Sequence, residues 1–165
     1  MGIPPPEAQA GSGNTRSIGW RARASVIDYS IRIDAPADLV FDMLTDAGLL
    51  TEWMAREAQV DRRSGGSFRW VYENGDVVQG RFVEIDAPRR LVMAYGWEKP
   101  VSRGIPPGST EVEITLEEID GATLVRLVHR GLPPSEVDSH RAGWEFFLGR
   151  LAVKLAGTSF EGSAT

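Results

Sequence analysis

The last third of the chain constrains the fold most. From Thr123 to His129 apolar Val125 and Leu127 alternate with charged Arg126, and Gly131-Leu132 then interrupts the strand pattern. From Ser135 to Ala156 the period changes to that of a helix, with Trp144, Leu148, Leu151 and Leu155 on one stripe and Gly157 placed to stop it. A strand that feeds directly into the longest helix leaves that helix with a wide apolar face, and a sheet is the surface available to cover it.

The rest of the chain supplies such a sheet. Ile27, Tyr29, Ile31 and Ile33 alternate with polar residues from Ser25 to Ile33, as in a half-buried strand. Asp34-Ala35-Pro36 predicts a helix start with Pro36 in the first helical position, followed by Leu39, Val40, Met43 and Leu44 at helical spacing. Asp46 is placed to cap a second short helix that runs through Leu49 and Leu50 to Trp53.

Beyond Trp53, short strand patterns are separated by Ser64-Gly65-Gly66, Asn74-Gly75, Ala87-Pro88 and Asp120-Gly121. Asn74-Gly75 predicts a two-residue hairpin loop, since both residues tolerate positive φ. One parity of these strands carries the apolar residues and the other most of the charge, including Arg69, Glu73, Glu111, Glu113, Glu117 and Arg126. The predicted order is one strand, two short helices, about six strands and a long helix: an α+β chain with a single antiparallel sheet.

Composition narrows the functional classes. A length of 165 residues suits one domain. A net charge of −5 offers no basic surface for nucleic acid. No apolar run approaches the roughly 20 residues of a membrane span, so no membrane insertion is expected. Cysteine is absent, which removes disulfides, thiolate metal sites and cysteine nucleophiles. Met1-Gly2-Ile3-Pro4 lacks the basic start and apolar stretch of a secretory signal, which predicts cytoplasmic residence. Residues 1–24, rich in Pro, Gly and Ser, are expected to be a flexible tail in which Trp20 is the large apolar residue able to dock.

Ile33-Asp34-Ala35-Pro36, Trp53, Gly65-Gly66 before Phe68, Gly80 before Phe82 and Pro88-Arg89-Arg90-Leu91 resemble the homologues of the Hsp90 ATPase activator. Thr123 to His129 with Gly131-Leu132, and Gly143-Trp144 with Leu148 and Leu151, extend the likeness from Ser25 to Gly157. That family belongs to the START-like, or SRPBCC and polyketide cyclase-like, superfamily. The resemblance implies a helix-grip fold: a curved seven-stranded antiparallel sheet wrapped around a long C-terminal helix, with a hydrophobic cavity between them. It places the ligand-binding domain at 25–157 and a C-terminal tail at 158–165.

In that fold the inward aromatics Phe68, Trp70, Phe82, Tyr95, Trp97 and Trp144 become candidate walls for an apolar ligand. Trp53, Met93, Leu127 and Leu148 join them. His129, on the parity of Val125 and Leu127, is the candidate polar anchor or general base. The leading expectation is binding of a small hydrophobic or amphipathic molecule. A cyclase, dehydratase or hydrolase using His129 with Tyr95 or Glu84 is the enzymatic alternative. Contact with an Hsp90-type chaperone is the third reading, and homodimerisation through a sheet edge or Trp20 accompanies any of them. No cofactor is called for. His140 has no second histidine one turn away, which argues against a histidine metal site. Ser64-Gly65-Gly66-Ser67 lacks the lysine and helix of a phosphate loop, and no Gly-Xaa-Ser-Xaa-Gly elbow occurs.

Overall fold

The computed structural model describes residues 26–99 and 104–164, with side chains described through residue 156. The readings made for Trp20 and the N-terminal tail lie outside these residues. The chain forms β1 (Ile27–Ile33), α1 (Ala37–Thr45), α2 (Ala47–Leu50), β2 (Glu57–Val60), β3 (Ser67–Val71) and β4 (Val77–Asp86). It continues with β5 (Arg90–Lys99), β6 (Thr110–Ile119), β7 (Ala122–Arg130), a 3-10 turn (Pro134–Glu136) and α3 (Val137–Ala164). The strands make one seven-stranded antiparallel sheet in the order β1-β7-β6-β5-β4-β3-β2. This is the α+β arrangement expected.

Strand parity divides the sheet cleanly. Phe68, Val78, Phe82, Leu91, Met93, Val112, Ile114, Val125 and Leu127 are buried against Leu148, Leu151 and Leu155 of α3. The opposite face carries bidentate pairs between Arg126 and Asp28 and between Arg69 and Glu98, and Arg90 and Arg130 both reach Glu113. The short helices are tied down by backbone groups. The Ala37 N–H donates to Glu118 of β6 at 2.8 Å, the Thr123 hydroxyl donates to the Ala35 carbonyl at 2.7 Å, and the Leu49 N–H donates to Asp46 at 3.0 Å as its cap.

Four local expectations are corrected. Pro36 is the N-cap of α1 rather than its first helical residue. The Asn74-Gly75 loop is a wider turn in which only Gly75 has positive φ (91°); its N–H bonds the Tyr72 carbonyl, and the Tyr72 N–H bonds the Asp76 carbonyl. The loop with positive φ at both positions is Asp120-Gly121 instead (54° and 81°). Gly157 does not stop α3, which runs on to Ala164; a single glycine costs a helix only about 1 kcal/mol, and no proline follows to enforce the end.

The fourth correction concerns Glu84. The register between β4 and β5 slips between Phe82 and Glu84, so Phe82 faces Met93 while Glu84 faces Val92. The bulge reverses the parity of the strand. Glu84 therefore lies on the outer face, bonded to Arg90, and not at a cavity mouth.

Candidate functional site

A cavity of about 400 Å³ opens where the β3–β4 hairpin, the end of β5 and the first half of α3 meet. Three elements build its walls. The hairpin supplies Tyr72, Glu73, Asn74 and Asp76, β5 supplies Tyr95 and Trp97, and α3 supplies Ser139, His140, Gly143, Trp144, Phe146, Phe147 and Arg150. Met54, from the turn after α2, completes them. The rings touch one another: Tyr72 stacks on Phe147 at 5.4 Å and meets Trp97 at 5.8 Å, and Tyr95 meets Trp144 at 5.8 Å. The interior is thus aromatic, while charged Glu73, Asp76 and Arg150 belong to the hairpin and helix at its margin.

Of the residues singled out in the sequence, Tyr95, Trp97 and Trp144 line this cavity. Phe68, Trp70, Phe82, Met93, Leu127 and Leu148 do not; they are buried against each other deeper in the core. Phe68 packs on Trp70 at 4.8 Å and on Phe82 at 5.3 Å, so the inner sheet face is filled with side chains over most of its length. Trp53 donates its indole N–H to the Met43 carbonyl at 2.9 Å and pins α1 to the following turn, outside the cavity.

His129 is also behind the wall. It is fully buried, and both ring nitrogens are engaged. The Trp144 indole N–H donates to Nδ1 at 3.1 Å, and Nε2 lies 2.9 Å from the Thr110 hydroxyl, whose oxygen is 2.9 Å from the Tyr95 carbonyl. Because Nδ1 accepts, the proton resides on Nε2, and the relay reads Trp144 to His129 to Thr110 to Tyr95, each donating to the next. Burial first, and the neighbouring His140 second, push the His129 pKa from 6.5 down to about 3. Such a histidine orients Trp144 and anchors β7 to β6 and α3. It is neither a ligand's polar anchor nor a base near neutral pH; of the partners considered for it, Tyr95 lies against it with ring centroids 4.8 Å apart, while Glu84 is on the other face of the sheet.

His140 is a polar side chain set among the aromatic rings of the cavity wall. Its Nε2 accepts the Trp97 indole N–H at 2.9 Å, and its Nδ1 lies 2.8 Å from the Glu136 carbonyl, so the proton is on Nδ1. Ser139 and the Glu136 carboxylate also approach His140, at 3.4 Å and 3.5 Å, but both address the same Nδ1. A nucleophile relay needs its hydroxyl and its carboxylate on opposite ring nitrogens, and that geometry is missing here. Among the described residues no group of three or more His, Asp or Glu could hold a metal ion, and no helix is long and apolar enough to cross a membrane.

Tyr72, Phe147 and His140 are the wall residues that sequence reasoning missed. A signal existed for two of them: Tyr72 continues the parity of Phe68 and Trp70, and His140 extends the stripe of Trp144 and Leu148 by one turn. Phe147 flanks that stripe and had no comparable mark.

Comparison with known proteins agrees with this geometry. The family model described as Activator of Hsp90 ATPase homolog 1-like protein matches residues 34–156. The uncharacterized protein C1711.08 of Schizosaccharomyces pombe is 27% identical over 135 residues, 77% of this chain; the chain spans only 36% of that relative's length. Among solved structures, DynU16, a protein of the dynemicin biosynthetic locus, superposes with a TM-score of 0.69 at 26% identity, over 80% of this chain and 47% of its own. CalU16 from Micromonospora echinospora gives 0.66 at 28% identity, over 80% of this chain and 74% of its own. With its fold matched and its model match covering most of its length, the chain belongs to the Activator of Hsp90 ATPase homolog 1-like family.

Proposed function

We propose that this chain binds a small hydrophobic or amphipathic molecule in the cavity between the β3–β4 hairpin, β5 and α3. The observation that carries the reading is the wall itself: Tyr72, Tyr95, Trp97, Trp144 and Phe147 line about 400 Å³, within the size range of small-molecule sites. Flat rings around such a space suit a planar, largely apolar ligand. DynU16, similar to this chain, comes from the dynemicin biosynthetic locus, which supports the same reading. Fluorescence titration with 8-anilinonaphthalene-1-sulfonate tests it: saturable binding that is lost in Phe147→Ala is expected, and equal binding by Phe147→Ala and the wild type contradicts the site.

The second reading is contact with an Hsp90-type chaperone, supported by the family description. Retention of this chain by an immobilised Hsp90-type chaperone, and stimulation of its ATPase, would favour it.

A further inference from the structure

One wall of the cavity is a single stripe of α3. His140, Gly143, Phe147 and Arg150 follow one another at helical spacing and all line the same space. The stripe is about 15 Å long at the rise of an α-helix, with an imidazole at one end and a guanidinium at the other. The imidazole is already engaged within the wall, since Trp97 donates to Nε2 and Nδ1 meets the Glu136 carbonyl. The middle is apolar, the bare backbone of Gly143 lying one turn from the Phe147 ring. Of these four residues, Arg150 is the one left to meet a polar group of the ligand.

The chain itself gives Arg150 no carboxylate. Its neighbours one turn away along α3 are Phe146, Phe147, Val153 and Lys154. Glu52, from the turn after α2, is taken by Lys154 at 3.3 Å, and among the described residues Arg150 forms no ion pair. On the sheet, by contrast, Arg69, Arg90, Arg126 and Arg130 each hold a carboxylate. What Arg150 has instead is a ring: its guanidinium carbon lies 5.7 Å from the centroid of Phe146, itself a cavity residue. That contact holds at the cavity margin the planar fork that takes a carboxylate through two parallel hydrogen bonds. The hairpin wall carries the opposite sign in Glu73 and Asp76. Asp76 is engaged in its own turn, accepting from the Asn74 amide at 3.2 Å and donating its backbone N–H to the Asn74 side-chain oxygen at 2.9 Å. Glu73 is exposed, with no ring or ion pair among the described residues to hold its side chain. An acid in the cavity is therefore drawn to α3 and repelled by the hairpin.

We propose that the ligand is an amphipathic acid, with a flat apolar body against Trp97 and Phe147 and a carboxylate head paired with Arg150. This names the chemical class of the molecule and rests on the reading of the cavity as a ligand site.

Calorimetric titration of the full chain with three probes of one shape tests the assignment: naphthylacetate, naphthylethanol and naphthylethylammonium. The alcohol carries no charge, so its binding, and the loss of that binding in Phe147→Ala, test the cavity alone. An alcohol that does not bind, or that binds Phe147→Ala as well as the wild type, overturns the cavity reading and this assignment with it. Once the alcohol binds, the acid is expected to bind about fivefold tighter and the ammonium more weakly, with the acid's advantage shrinking as salt is raised. Arg150→Met should bring the acid-to-alcohol affinity ratio to about one, and Arg150→Lys should keep part of the preference. Arg141→Met removes the same charge from α3 outside the cavity and should leave the ratio as in the wild type. An acid no tighter than the alcohol, an ammonium tighter than both, or a preference that survives Arg150→Met or falls equally in Arg141→Met would overturn the assignment while leaving the cavity in place.

Discussion

At the scale of single residues, the buried relay through His129 governs stability more than binding. In the unfolded chain His129 titrates near 6.5, whereas in the fold its pKa is held near 3. The unfolded state therefore takes up a proton first as the solution is acidified. The stability this group contributes is complete above pH 6.5 and falls between 6.5 and about 3, by about 1.4 kcal/mol per pH unit. Urea unfolding should show roughly 2 kcal/mol less stability at pH 5 than at pH 7 on this account. Imidazole resonances at pH 5 should still report a neutral ring carrying its proton on Nε2; a protonated ring in the folded protein would refute the relay.

Two tryptophans give a second contrast at this scale. Among the described residues, Trp70 Nε1 is the buried side-chain nitrogen without a partner, while Trp144 Nε1 is bonded to His129. Replacing either with phenylalanine removes the same volume. Trp70→Phe also removes an unsatisfied donor, whereas Trp144→Phe creates an unsatisfied acceptor on His129. Trp144→Phe should be the less stable variant by about 1–3 kcal/mol in chemical denaturation. Equal stabilities would mean that the indole–imidazole bond contributes nothing.

At the scale of elements, strand parity and the Trp144 stripe were legible because one buried face imposes a period of two on strands and 3.6 on helices. The depth of the cavity was not. Trp70, Phe82, Met93 and Leu148 have the parity of wall residues, but parity does not say how closely α3 approaches the sheet, and here it approaches enough to fill the space. Nor could alternation place Glu84, since one extra residue between Phe82 and Glu84 turns the rest of the strand over. His129 was legible as inward and buried, while its partners Thr110 and Trp144, 19 and 15 residues away, are set by tertiary packing alone.

The glycines of α3 and β4 yield predictions that separate space from helix propensity. A Cβ on Gly143 meets nothing within 4 Å, and Gly143 lines the cavity. Gly143→Ala should therefore stabilise the helix by up to about 1 kcal/mol while reducing the space for a ligand, so the melting temperature rises as 8-anilinonaphthalene-1-sulfonate affinity falls. Loss of both would place Gly143 in a contact the fold does not show. A Cβ on Gly80, by contrast, would lie 1.8 Å from the Ala94 carbonyl oxygen and 2.9 Å from the Phe68 ring. Gly80→Ala must separate β4 from β5 and should cost about 3 kcal/mol, readable as a lower denaturation midpoint at an unchanged slope.

At the scale of the molecule, the parts divide the labour. The outer sheet face is laced with arginine–carboxylate pairs, the inner face is a packed core, and the open aromatic space is gathered at one end of α3 under the β3–β4 hairpin. Binding there needs no rearrangement of the core, so a ligand should raise stability by mass action without changing the fold. Native mass spectrometry of the gently purified chain, followed by denaturation and extraction of the same sample, tests this account most directly. It predicts a discrete adduct of a small apolar molecule that disappears in Phe147→Ala while the variant stays folded. An adduct retained in full by that folded variant, or an apo wild type that also fails to bind apolar aromatic probes, would contradict it.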